Sequence, residues 1–97
     1  MPDWHIYMVR TETGALYTGI SNDVEKRIEA HRLGRGSKFL RAQGDLVLVY
    51  QCALGDRSIA SKAEYRLKQI SKAEKELLVQ EKPDRIRLLE KLEIECP

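Results

Sequence analysis

Trp4-His5-Ile6-Tyr7-Met8-Val9-Arg10 and Ala15-Leu16-Tyr17-Thr18-Gly19-Ile20 are two short strand-like stretches separated by Thr11-Glu12-Thr13-Gly14. Trp4, Ile6 and Met8 alternate along the first stretch, the period-two pattern of a strand with one apolar face. A three-residue loop over Glu12-Thr13-Gly14 puts the glycine in the left-handed position that such loops favour. Thr11 then pairs with Ala15, Val9 faces Tyr17 and Tyr7 faces Gly19. Cross-strand partners and their diagonal neighbours share a face, so Tyr7 and Tyr17 fall on the same side of the hairpin, with open space over Gly19 beside Tyr7. A two-residue loop would shift the register by one and separate the tyrosines.

A helix signal follows the hairpin. Asn22 or Asp23 caps it, Val24 and Ile28 give it a buried stripe, and Gly34 ends it. Arg27 and His31 are four apart, which a helix turns into one face. Ser37 to Gln43 reads as a short second helix. Asp45 to Ala53 is dense in apolar and β-branched residues and reads as a strand buried on both faces. After Gly55-Asp56 a helix is expected from about Ser58 to Ile70, with Ile59, Ala63, Leu67 and Ile70 toward the core. Ser71 and Glu74 form a capping box for another helix to about Glu81, which Pro83 stops. Asp84 caps a last helix carrying Ile86, Leu89 and Leu92. The order predicts an α+β fold, a small sheet with helices packed on it.

Length and composition set the scale. Ninety-seven residues, 42% hydrophobic and 33% charged, make one small domain with one core and no room for a second. A net charge of +2 says little about partners. The distribution says more: Arg32, Arg35, Lys38 and Arg41 follow one another with no acidic residue between them, a loop suited to a nucleic-acid backbone or simply a solvated turn, and Arg57, Lys62, Arg66 and Lys68 could extend the track. Cys52 and Cys96 read as reduced thiols, no apolar run reaches the ~20 residues of a membrane span, and the N-terminus shows no secretory pattern. The expected compartment is therefore the cytoplasm.

Tyr7, Tyr17, Arg27 and His31 are thus polar groups brought together from two elements, a set that can act on a phosphodiester. Each also has a plainer reading: a core tyrosine with a tethered hydroxyl, a solvated helix arginine, an exposed helix-end histidine. Glu64 reads equally as a surface partner of Lys68 four residues on. Trp4 and Tyr65 are candidates for base stacking, with core packing the simpler reading for Trp4.

His5-Ile6-Tyr7, Tyr17-Thr18-Gly19, Arg27 with His31, Glu64 and the Gly-Asp-Arg-Ser stretch at 55–58 together resemble the GIY-YIG nuclease superfamily, in particular its small stand-alone bacterial proteins. The resemblance covers about residues 4–80 and leaves a C-terminal helix at about 84–92 within one domain, 1–97. It implies a three-stranded, mainly antiparallel sheet flanked by helices, and a metal-dependent endonuclease that hydrolyses DNA with one Mg²⁺ or Mn²⁺, in a setting such as DNA repair. It further implies that Tyr7 and Tyr17 flank the attacking water, with Tyr7 the better general base. Arg27 would bind the scissile phosphate, His31 would contact the phosphate or the leaving oxygen, and Glu64 would hold the metal. The chain departs from the family pattern at His5, where the first motif has glycine, and at Thr18, where the second has isoleucine. Ile20 stands where some members have lysine, and Asn22 is the only asparagine. Those departures motivate an alternative, a non-catalytic nucleic-acid-binding module on the same scaffold. The late helices around Leu77, Leu78, Leu89 and Leu92 motivate another, a surface for a protein partner.

Overall fold

The computed structural model describes residues 3–35 and 44–95. The short helix expected at Ser37 to Gln43, the cations Lys38 and Arg41, and Cys96 lie outside the described residues. Three strands, β1 (Trp4–Thr11), β2 (Leu16–Ser21) and β3 (Leu46–Gly55), form one antiparallel sheet in the order β2-β1-β3. Helix α1 (Val24–Arg32) follows β2, and α2 (Arg57–Leu67), α3 (Lys72–Glu81) and α4 (Arg85–Lys91) follow β3. The fold class is the expected α+β.

The hairpin has the expected register. Val9 pairs with Tyr17 and Tyr7 with Gly19. The Thr11 amide donates to the Ala15 carbonyl at 2.9 Å, the Gly14 amide returns to the Thr11 carbonyl at 3.0 Å, and Gly14 sits at φ +88°. A Cβ is disfavoured at that dihedral, so the loop length and the glycine belong together. The turn is held from outside as well: Arg10 and Lys72 both donate to the Gly14 carbonyl, and Arg10 forks onto the Glu76 carboxylate at 2.6 and 2.8 Å, tying the end of β1 to α3. That fork holds the Glu76 carboxyl below its ordinary value.

β1 is the central strand and feeds two cores. Ile6 and Met8 face Leu54, Tyr50 and the inner sides of α2, α3 and α4, including Ala60, Ala63, Leu67, Leu78, Leu88 and Leu89. Tyr7 and Val9 face the other way and pack with Val24 and Ile28 of α1 and with Leu46. The Tyr50 hydroxyl, buried on the first face, is satisfied by the Pro83 carbonyl at 2.7 Å.

Each helix after β3 starts at the expected type of cap. Asp56, Ser71 and Asp84 accept from the backbone amides three residues on, at 2.8, 3.1 and 3.0 Å. Asp23, not Asn22, caps α1. Lys82 ends α3 in the left-handed conformation at φ 49°, immediately before Pro83.

Two expectations are corrected. β3 is an edge strand rather than one buried on both faces: Val47 is 59% exposed, and Gln51 and Ala53 are exposed too. Apolar density reports how much of a strand could be covered, but the second neighbour went to β1. In α4, Leu88 and Leu89 are buried and Ile86 is 66% exposed, because the phase set by the Asp84 cap turns Ile86 outward. The leucines considered as a docking face are mostly spent internally, since Leu78, Leu89 and Leu92 are core residues and only Leu77 is half exposed. No helix among the described residues is long and apolar enough to cross a membrane.

Candidate functional site

A cleft of about 480 Å³ opens along the free edge of β2, between α1 and α2. Four of the residues singled out from sequence line it: Tyr7 and Tyr17 from the hairpin, Arg27 from α1 and Glu64 from α2. The shared face of the two tyrosines follows from the hairpin register. Arg27 lies on α1 beside the buried Val24 and Ile28, so its stem leaves the helix close to the sheet while the residue itself stays exposed.

Tyr7 has the most constrained environment of the set. It lies in the central strand with only 1% of its surface exposed. Gly19, its cross-strand partner, makes room for the ring: a Cβ at Gly19 would stand 2.5 Å from the Tyr7 oxygen and 2.7 Å from Cζ. The hydroxyl is 3.2 Å from His31 Nε2. Burial, reinforced by the neighbouring Tyr17, pushes the Tyr7 phenol up to about 12, with the Arg27 guanidinium pulling the other way. Burial also lowers His31 below the ordinary histidine value, and Arg27 adds to the effect. Both groups are therefore neutral near pH 7, and the phenol can donate to Nε2.

His31 is 2% exposed and does not line the cleft. It stands behind Tyr7, edge-on to the Tyr17 ring with centroids 5.7 Å apart. Its burial was missed from sequence, although Val24, Ile28 and His31 follow at intervals of four and three, the spacing of a single buried stripe.

Glu64 makes the pair with Lys68 expected of its plainer reading, at 3.3 Å, and also reaches the cleft. The Lys68 ammonium lies 5.9 Å from the centre of the Tyr17 ring. Arg57 and Ser61 precede Glu64 by seven and three positions on α2 and line the same cleft, as does Trp4, whose ring carries the Arg57 guanidinium at 5.1 Å. The spacing of 57, 61 and 64 is that of one helix face and could have flagged Ser61. Of the basic run, Arg32 donates to the Leu46 carbonyl at 3.1 Å and sits near Glu29, so it helps to hold β3 to α1. Arg35 is exposed just past α1. Arg66 donates to the Leu92 carbonyl and is structural as well. Tyr65 is 66% exposed.

A larger groove, about 580 Å³, runs along β3 beside residues 82–85. Tyr50, Cys52, Lys82, Asp84 and Arg85 are among its lining residues, and none of the site residues expected from sequence lines it.

Comparison with known proteins bears on the family and the fold. Residues 3–77 match the model of a family described as the GIY-YIG catalytic domain. The chain is 56% identical over 82 residues to a UPF0213 protein of Pectobacterium carotovorum subsp. carotovorum, covering 84% of this chain and 83% of that one. It is 54% identical over 80 residues to a UPF0213 protein of Yersinia enterocolitica, covering 82% of each. The solution NMR structure of a UPF0213 protein from Bacillus halodurans superposes with a TM-score of 0.56 at 32% identity, covering 96% of this chain and 99% of that one.

Proposed function

The chain belongs to the GIY-YIG catalytic-domain family, and from that premise we propose that it is an endonuclease that hydrolyses phosphodiester bonds of DNA with one divalent cation, Mg²⁺ or Mn²⁺. The observation that carries this reading is the meeting of Tyr7, Tyr17, Arg27 and Glu64 in one cleft, with His31 behind Tyr7. Hydrolysis needs a proton acceptor for the attacking water, neutralisation of the phosphoryl oxygens and help for the leaving oxygen.

Arg27 supplies a fixed fork for two phosphate oxygens. Tyr7 is a poor base by itself, with a phenol near 12. Its role is better described as a relay: its oxygen takes a proton from water as its own proton passes to the neutral His31 Nε2. Tyr17, on the same face, orients the water from the other side. Glu64 is the one carboxylate lining the cleft, and the described residues hold no cluster of three metal-ligating side chains. That donor set fits a hard cation that takes one or two carboxylates and completes its shell with substrate oxygens. Glu64 would hold the ion, which when bound supplies Lewis-acid stabilisation of phosphate charge. The Lys68 ammonium neutralises Glu64 until then.

The test is incubation of wild type, Glu64→Ala and Tyr7→Phe with supercoiled plasmid and Mn²⁺. Nicking by the wild type alone is the expected result. Intact supercoiled, branched and single-stranded DNA under all conditions would reject the nuclease. The Glu64–Lys68 ion pair would then favour the binding-module reading, in which Glu64→Ala leaves DNA affinity unchanged. Faster cutting of branched or damaged DNA than of intact duplex would support a place in DNA repair.

A further inference from the structure

The cleft contains a second arginine that the proposed chemistry does not use. Arg57 opens α2, is exposed, and has its guanidinium 5.1 Å from the centre of the Trp4 ring. Among the described residues no carboxylate forms an ion pair with it, whereas Arg10, Arg32 and Lys68 each have one. Trp4 is half-buried, anchored on the Ile6 and Met8 face of the sheet. Its ring is therefore a fixed support, and a guanidinium resting on an aromatic face is attracted by the ring quadrupole and held in a limited set of positions. Arg57, Ser61 and Glu64 project from one face of α2. Seven residues separate Arg57 from Glu64, about 10 Å along the helix axis. Successive phosphates on one strand of a duplex advance about 3.4 Å along its axis. That rise is long enough for Arg57 and Glu64 to face different phosphates of one strand. With two arginines and one glutamate lining it, the cleft carries net positive charge, as a polyanion groove requires.

We propose that Arg57, held on Trp4, is a second phosphate-binding residue, which grips the substrate strand beside the phosphate to be cleaved, with the Trp4 ring as the apolar wall for the nucleotide between. The proposal rests on the reading of this cleft as a nucleic-acid site. It extends that reading from a reaction centre to a subsite that positions the strand, and it assigns Trp4 a role in the site as well as in the core.

Trp4 is the only tryptophan in the chain, so intrinsic fluorescence reports directly on this wall. The experiment is a titration of full-length protein with a short single-stranded thymidine oligonucleotide, in chelator and without metal, at several salt concentrations. Wild type, Arg57→Ala and Arg57→Lys are compared. The expected wild-type result is a saturable change in Trp4 emission. Arg57→Ala should weaken binding about tenfold and reduce the slope of log affinity against log salt by about 0.7, one contact's share on a single strand. Arg57→Lys should keep that slope. Equal melting temperatures establish that the variants fold, as expected for an exposed position. Arg57→Ala with wild-type affinity and slope, or binding that leaves Trp4 emission unchanged, overturns the proposal. Plasmid nicking with Mn²⁺ on the same samples separates the two ideas. Nicking together with unaltered Arg57→Ala binding rejects the subsite alone. The expected binding without nicking of any substrate rejects the nuclease alone. No binding at low salt rejects both.

Discussion

The two faces of β1 are built to different standards. On the Ile6 and Met8 face, thirteen buried residues from the sheet and three helices form one apolar core, and its buried Tyr50 hydroxyl has a backbone partner. On the Tyr7 and Val9 face the corresponding buried cluster has five members, the covering helix is the nine-residue α1, and a histidine is enclosed with them. A strand whose successive side chains alternate between faces allows this division. Stability is concentrated on one side, so the other can hold neutral, desolvated polar groups next to a cleft. Residues one apart in sequence, such as Tyr7 and Met8, therefore answer to different requirements.

Substitutions can break that contrast, and the largest effect is expected on the thin face. Arg27→Ala should lower plasmid nicking on the order of 10³-fold, the scale for losing one preorganised charge-stabilising donor, while its melting temperature stays within about 1 °C of wild type. Leu67→Ala, at a fully buried position on the thick face, should do the opposite. It should cost about 3 kcal/mol in urea unfolding and leave the activity of the remaining folded protein near wild type. Tyr7→Phe keeps the ring and removes the hydroxyl. Nicking should fall about 10²-fold, with a stability change of about 1 kcal/mol or less, and a collapse of the fold would show that the faces are not separable.

The pH response sharpens the contrast further. His31 has a folded value depressed from the ordinary 6.5, so below 6.5 the unfolded chain binds the proton more readily than the folded one. Its contribution to stability is present above 6.5 and is lost as pH falls through the depressed folded value. His31→Gln should flatten that part of a stability-versus-pH curve measured by denaturant titration, and wild-type nicking should fail in the same acidic window as His31 loses its accepting nitrogen. Ile86→Ser, outside both faces, should change stability by no more than about 0.5 kcal/mol.

The local parts of this molecule were legible in its sequence. A three-residue loop with Gly14 gave the hairpin register, and through it the shared face of Tyr7 and Tyr17. Ser71 and Asp84 could be read as caps, and the cap of α1 narrowed to Asn22 or Asp23, because capping is settled within four residues. What escaped depends on remote partners. The uncharged run from Leu46 to Leu54 has the composition of a central strand, but which strand receives two neighbours depends on where helices pack tens of residues away. Ile86 and Leu88 are both plausible core residues until the phase of α4 is known. Arg32 was read with a cationic run, and its bond to the Leu46 carbonyl depends on β3 lying against α1. Arg57 could be read as an extension of the basic run, but its place over Trp4, more than fifty residues earlier, depends on the packing of α2 against β1.

Gly19 differs in kind from the other components of the cleft. Tyr7, Arg27 and Glu64 each provide a functional group, whereas Gly19 acts by withholding an atom from the space occupied by a phenol. Every other amino acid adds at least that atom, so chemical similarity offers no gentle replacement. In a saturation scan, tolerance at Arg57 would vary with the nucleic acid used for selection, because a binding group is judged by its ligand. Tolerance at Gly19 would be the same for all of them, since the obstruction lies within the protein and precedes any encounter with a substrate.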